Sequence, residues 1–92
     1  MNSIAVEHLP ERGRFQATVD GQRCVADYHL AGDVMVMTHT EVPDELSGRG
    51  IAAALVAAAL NHAREQGMKV RPACSYVQTY MRRHPETNDL RA

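Results

Sequence analysis

Four groups of residues in this chain have the types and spacing to do chemistry. The first is the run Leu46-Ser47-Gly48-Arg49-Gly50-Ile51-Ala52, which leads straight into an alanine-rich apolar segment. It reads as a glycine loop opening a helix. Small residues let a ligand approach the backbone, the first-turn N–H groups lack intrahelical partners, and the helix dipole favours negative charge there. A phosphate or pyrophosphate is the simplest ligand for such a place; glycines kept only for turn geometry are the plain alternative. The second group is His39 and Glu41, two positions apart near the end of a strand-like stretch. The apolar strand before Glu41 predicts partial desolvation, which suits a carboxylate to take a proton from an ammonium. His39 would assist or orient a water. A solvated strand-end charge and a packed histidine are the competing readings. The third is Cys74, at a helix start that favours the thiolate; it is a candidate nucleophile or a neighbour of a ligand sulfur. The fourth is Tyr76, Tyr80 and His84, which recur every four residues and so share a helix face, with Arg82 and Arg83 alongside.

Other classes are excluded by what is missing. The loop has no Gly-x-x-x-x-Gly-Lys-Ser/Thr and no Gly-x-Gly-x-x-Gly followed by a spaced acid, so it is neither a P-loop nor a dinucleotide fingerprint. Its ligand is a pyrophosphate carrier of another kind. The 92 residues are expected to form one domain, residues 1–92, and the 45% apolar content is ordinary for a globular protein. A net charge of −1 argues against nucleic acid or an anionic membrane as a general partner. The longest apolar run, residues 51–60, is about half of a membrane span. The N-terminal residues lack the basic-then-apolar pattern of a signal peptide. Cys24 and Cys74 have neither CxxC spacing nor a metal-spaced histidine pair beside them, which predicts reduced thiols, a cytoplasmic setting and no metal.

The elements that must position these groups follow from the hydrophobic pattern. Alternation predicts strands over residues 4–9, 14–19, 22–30 and 34–42, with turns at residues 10–13, Asp20-Gly21 and Gly32-Asp33. A helix is expected over residues 50–66 with Gly67 as its cap, then a strand over 70–74 and a helix over 75–84 stopped by Pro85; residues 87–92 read as a frayed tail. The fold class is therefore α+β: a mostly antiparallel sheet with a C-terminal βαβ unit and two helices, its ligand crevice at the carboxyl ends of the fourth and fifth strands. Two-residue turns place Ala17 opposite Cys24, Phe15 opposite Ala26, Tyr28 opposite Met37, Ala26 opposite His39 and Cys24 opposite Glu41. In that register Met35, Met37, His39 and Glu41 share one face.

The glycine loop resembles the acetyl-CoA loop of the GNAT acetyltransferases, Arg/Gln-x-x-Gly-x-Gly/Ala, with Ser47 where most such loops carry the long side chain. His39-Thr40-Glu41-Val42-Pro43, the loop, and Cys74-Ser75-Tyr76 … Tyr80-Met81-Arg82-Arg83-His84-Pro85-Glu86 are similar, in order and spacing, to the small minimal-domain branch of that superfamily. The resemblance implies a GNAT-like fold, acetyl-CoA as cosubstrate, and acetyl transfer to a small amine or to a protein or peptide amine, by a monomer or homodimer. It implies that Ser47, Gly48, Arg49, Gly50, Ile51 and Ala52 hold the pyrophosphate and that strand backbone at Glu41 and Val42 holds the pantetheine arm. Glu41 with His39 would take the amine proton, Cys74 would lie beside the CoA sulfur, and Tyr80, or Tyr76, would protonate the thiolate. Arg82, Arg83 and His84 form a short basic cluster that would meet the adenosine 3′-phosphate, or a solvated helix end that suits the helix dipole. Two rivals use the same residues: a non-catalytic CoA-binding module, and a Cys-dependent acyl-CoA thioesterase pairing Cys74 with His39.

Overall fold

Alternating apolar residues and two tight turns build the sheet, as the pattern predicts. The computed structural model describes residues 4–92. In chain order the elements are β1 (Glu7–Leu9), β2 (Arg14–Val19), β3 (Gln22–Ala31), β4 (Val34–Glu41), α1 (Ile51–Glu65), β5 (Lys69–Pro72) and α2 (Ser75–Arg83), with 3-10 turns at Pro10–Arg12, Asp44–Leu46 and Pro85–Leu90. The strands lie in the order β1-β2-β3-β4-β5; the first four run antiparallel, and β5 is parallel to β4 through the α1 crossover. This is an α+β fold with a mixed sheet. At the β2–β3 hairpin Asp20 and Gly21 both take positive φ, 51° and 74°, as a type I′ turn requires. The expected pairs Ala17↔Cys24 and Phe15↔Ala26 form.

One sheet face is covered. Ile51, Leu55, Val56, Ala59, Leu60 and Ala63 form the buried stripe of α1. They pack on Phe15, Ala17, Cys24, Ala26, Tyr28, Met35 and Met37, and Val77 and Met81 of α2 join the same core. Ala59 and Ala63 are completely buried; their small side chains let α1 approach the sheet closely, which holds the glycine loop at its N-terminus in place. Full burial of Leu55 contributes about 1.5–3 kcal/mol. The opposite face carries the rows Arg14–Asp27–His39 and Gln16–Val25–Glu41 and is largely polar.

Four expectations are corrected. The β3–β4 register holds at Tyr28↔Met37 but shifts between Asp27 and Tyr28, so that Asp27 faces His39, Ala26 faces Thr40 and Val25 faces Glu41. Thr38 is the extra residue of a β-bulge, with its hydroxyl donating to the Asp27 carbonyl at 3.4 Å. The pairs Ala26–His39 and Cys24–Glu41 therefore do not form, and His39 and Glu41 turn to the polar face while Thr40 takes the core-side position. The first strand begins at Glu7, not Ile4. The fifth strand ends at Pro72, because the N–H groups of Ala73 and Cys74 both donate to the Met37 carbonyl, at 3.0 and 2.9 Å, and turn the chain out of the ladder. The tail is not frayed. Leu90 is 4% exposed, the Thr87 hydroxyl donates to the His84 carbonyl at 2.7 Å, and the Ala92 N–H donates to the Val70 carbonyl at 2.9 Å.

Candidate functional site

Pro43 ends β4, and the turn Asp44–Leu46 carries the chain to the glycine loop. Leu46 is buried and anchors this segment; the Ser47 N–H is used inside it, donating to the Asp44 carbonyl at 3.1 Å. Beyond Ser47 the donors have no such outlet. Gly48 and Gly50 hold φ of 82° and 77°. Gly50 is the residue before α1, no side chain caps the helix, and the first helical bond runs from the Ala54 N–H to the Gly50 carbonyl at 3.0 Å. Among the described residues the N–H groups of residues 48–53 have no protein acceptor. Beside them lies a groove of about 340 Å³ lined by Val42, Leu46, Gly48, Gly50, the first residues of α1, and Tyr76. A Cβ added at Gly48 or Gly50 meets nothing within 4 Å. Left-handed backbone, not neighbouring protein, demands these glycines, and the space beside them is open to a ligand. Arg49 serves the loop through its backbone only: its guanidinium pairs with Asp20 at the β2–β3 turn, 2.9 Å away.

The crevice beside the loop is made by two diverging strands. β5 pairs with β4 only from Val34 to Met37, while β4 continues to Glu41 along β3. One edge of residues 38–41 is thus left without a strand partner among the described residues. Cys74 stands at the mouth of this split as the residue before α2, its Sγ 3.5 Å from the Thr40 hydroxyl. Burial alone pushes the Cys74 thiol up, but the Thr40 hydroxyl and the amides of Val77, Tyr76 and Thr40 outweigh it and hold the thiol below its ordinary range. Thr40 is a site residue the sequence reading missed. The stretch Thr38-His39-Thr40-Glu41 is polar at every position, so nothing in its pattern announces which residues turn inward.

His39 and Glu41 meet each other, with Nε2 3.2 Å from Oε1, but on the open face. Their side chains are 54% and 70% exposed. The desolvation expected for Glu41 is therefore absent; the bulge has rotated it out of the core into a shallow hollow with Arg14, Arg23 and Val25. The same rotation separates His39 from Cys74, so the Cys–His pair of the thioesterase reading is not assembled.

The stripe Tyr76–Tyr80–His84 exists as expected, and it runs along α1. Tyr76 lines the groove at the loop. Tyr80 lies one turn on, over a hollow formed with Ala57, Leu60 and Asn61, and stacks on His84 at 3.9 Å. The His84 ring nitrogen Nδ1 sits 2.7 Å from the Tyr80 carbonyl. Burial raises both phenols, with Arg83 partly opposing the shift at Tyr76 and Glu86 adding to it at Tyr80. Both hydroxyls keep their protons near neutrality. Arg82 parts from Arg83 and His84, lining a hollow on the far side of α2.

Residues 14–90 match the family model described as GCN5-related N-acetyl-transferase. The chain is 39% identical to Protein NATD1 of Xenopus tropicalis over 91% of its own length and 80% of that protein's. It is 40% identical to Protein NATD1 of Mus musculus, over 89% and 77% of the two lengths. In fold it is similar to the NMR solution structure of a GCN5-like N-acetyltransferase candidate from Staphylococcus aureus, with a TM-score of 0.77 at 23% identity, covering 100% of this chain and 91% of the other.

Proposed function

Because the chain belongs to the GCN5-related N-acetyltransferase family, we propose that it binds acetyl-CoA and transfers the acetyl group to an amine. The observation that carries this reading is the set of unpartnered N–H groups at residues 48–53, facing an open groove at the start of α1. That arrangement suits a pyrophosphate, whose charge the helix N-terminus favours. The unpaired edge of residues 38–41 suits the amides of a pantetheine arm, which would add to β4 as a short strand does. Acetyl-CoA supplies an activated acyl group on a thiol that leaves once protonated.

The chain's own residues then divide the work. Cys74 and Thr40 flank the mouth of the split, where the thioester belongs. Glu41, oriented by His39, takes the proton that the amine loses as its nitrogen bonds to the acyl carbon; Tyr76 gives a proton to the departing thiolate sulfur. Tyr76 is preferred to Tyr80 because it lines the groove, and Tyr80 with His84 stiffens the helix behind it. A second reading, an acyl-CoA-binding module without transferase activity, is favoured by the exposure of Glu41.

Calorimetric titration with acetyl-CoA and with desulfo-CoA tests the loop. Binding of both supports it; binding of neither removes the enzyme and the module together. Turnover against an amine panel, lost in Glu41→Gln, separates the enzyme from the module.

A further inference from the structure

Of the nine arginines of this chain, three close ion pairs and six do not among the described residues. Arg14, Arg49 and Arg64 each close an ion pair with an aspartate, Asp27, Asp20 and Asp89 respectively, at 2.9 Å or less. Arg71, Arg82 and Arg91 do not, although they come from three separate segments, β5, α2 and the C-terminal turn, to line one hollow of about 520 Å³. No carboxylate, that of Ala92 included, closes an ion pair with any of the three among the described residues. The acids nearest in sequence are turned elsewhere. Within the turn Pro85–Leu90, Glu86 and Asp89 line the hollow on the α1 side, where Asp89 holds Arg64. Asn88, between them, lines the arginine hollow. Gln78 is also in its wall, with its amide fixed by a bond to the Pro72 carbonyl at 3.1 Å.

In a chain with 11 acids and 10 bases, three arginines line one hollow without closing an ion pair, and among the described residues no acidic side chain lines it; the terminal residue Ala92 does. An anion in the hollow supplies the partner that no side chain of the protein gives these arginines. Guanidinium forks with amide donors between them match the oxygens of phosphate or carboxylate groups. We propose that this hollow between β5, α2 and the C-terminal turn is a binding site for a compact polyanion, an oligophosphate or a polycarboxylate, separate from the coenzyme loop. The loop holds charge with backbone N–H groups at a helix start; this hollow holds it with side chains on the far side of α2. The proposal does not rest on acetyl transfer.

The test is calorimetric titration of the full chain at low ionic strength with tripolyphosphate and, separately, citrate. Four proteins are compared: wild type, Arg71→Gln/Arg82→Gln, Gly50→Ala, and Arg12→Gln/Arg23→Gln as a control with equal charge loss on exposed arginines elsewhere. The expected result is binding of at least one probe to wild type, weakened about tenfold or more in Arg71→Gln/Arg82→Gln alone. Tripolyphosphate binding with citrate silent assigns the site to phosphates; the reverse assigns it to carboxylates. Loss in Gly50→Ala alone places the probe at the coenzyme loop and overturns the proposal. Equal loss in both double variants reduces the effect to general surface charge and overturns it too, as does the absence of binding by either probe.

Discussion

Replacing Gly50 by alanine separates the loop's part in folding from its part in binding, because a matched control exists. Gly50 and Gly21 hold nearly the same backbone, φ of 77° and 74°, and a Cβ at either meets nothing within 4 Å. Each Gly→Ala change therefore costs only the left-handed strain, about 1–2 kcal/mol. A domain of 92 residues has total stability of about 5–14 kcal/mol, so both variants stay folded. Their melting temperatures fall by similar amounts, at about 4–8 °C per kcal/mol. The two differ in what lies beside the new methyl: solvent at the β2–β3 turn, the groove and its unpartnered N–H groups at Gly50. Losing one hydrogen bond to a charged ligand costs about 1.5–3 kcal/mol, which is roughly a 10- to 150-fold loss of affinity. Calorimetry with acetyl-CoA is expected to show that loss in Gly50→Ala and wild-type affinity in Gly21→Ala. Wild-type affinity in a folded Gly50→Ala, or equal losses in both, would refute the assignment of the pyrophosphate to this loop.

Three further outcomes are expected. Iodoacetamide at neutral pH should modify Cys74 well before the fully buried Cys24, whose thiol burial pushes up, and Thr40→Val should slow the fast reaction; a fast phase that disappears in Cys24→Ala instead would reverse the assignment. His8, stacked on Phe15 at 4.1 Å, 2.6 Å from the Tyr28 hydroxyl and edge-on to His62 at 4.4 Å, has its pKa lowered by burial and then by His62, with Glu11 opposing. The unfolded chain then takes up a proton at about pH 6.5 that the native state resists. Stability is full above that pH and is lost as pH falls toward the lowered native value, at no more than about 1.4 kcal/mol per unit for this group; urea titrations between pH 7.5 and 5 in which His8→Gln leaves the slope unchanged would remove His8 as the cause. Leu90→Ala should cost about 2–5 kcal/mol by calorimetric melting, since Leu90 is 4% exposed, whereas a frayed end would give no shift.

Local signals were readable in the sequence where a local rule decides the structure. Asp20-Gly21 sets its own turn and so fixes the β2–β3 pairing; the alanine-rich run and the glycines before it fix the start of α1. The C-terminal turn is different. Pro85, Thr87, Asn88 and Asp89 look like the residues of a loose end, and the anchors that hold them, Arg64 on Asp89, Lys69 on the Asp89 carbonyl and Val70 beside Arg91, come from distant parts of the chain. Spacing along the sequence carries no trace of them.

The β4 bulge shows most clearly what pattern reading leaves open at the site. Counting from the Gly32-Asp33 turn gives the right partner at Met37 and the wrong ones beyond it, because Thr38 is inserted. Period-2 alternation identifies an inserted residue only when the positions beyond it alternate in polarity, and residues 38–41 are all polar. The insertion has two structural consequences. It turns His39 and Glu41 onto the open face, and it turns Thr40 toward Cys74. It also falls where β4 parts from β5, since the last β4–β5 pair is Met37↔Pro72. Thr40 and Glu41, as neighbours on a strand, lie on opposite faces, and the extra residue, taken up in the bulge, decides that Thr40 is the one on the Cys74 side. Deleting Thr38 would remove the bulge and keep the pairs Asp27↔His39, Ala26↔Thr40 and Val25↔Glu41, so Glu41 would stay on the open face and Thr40 would stay on the Cys74 side.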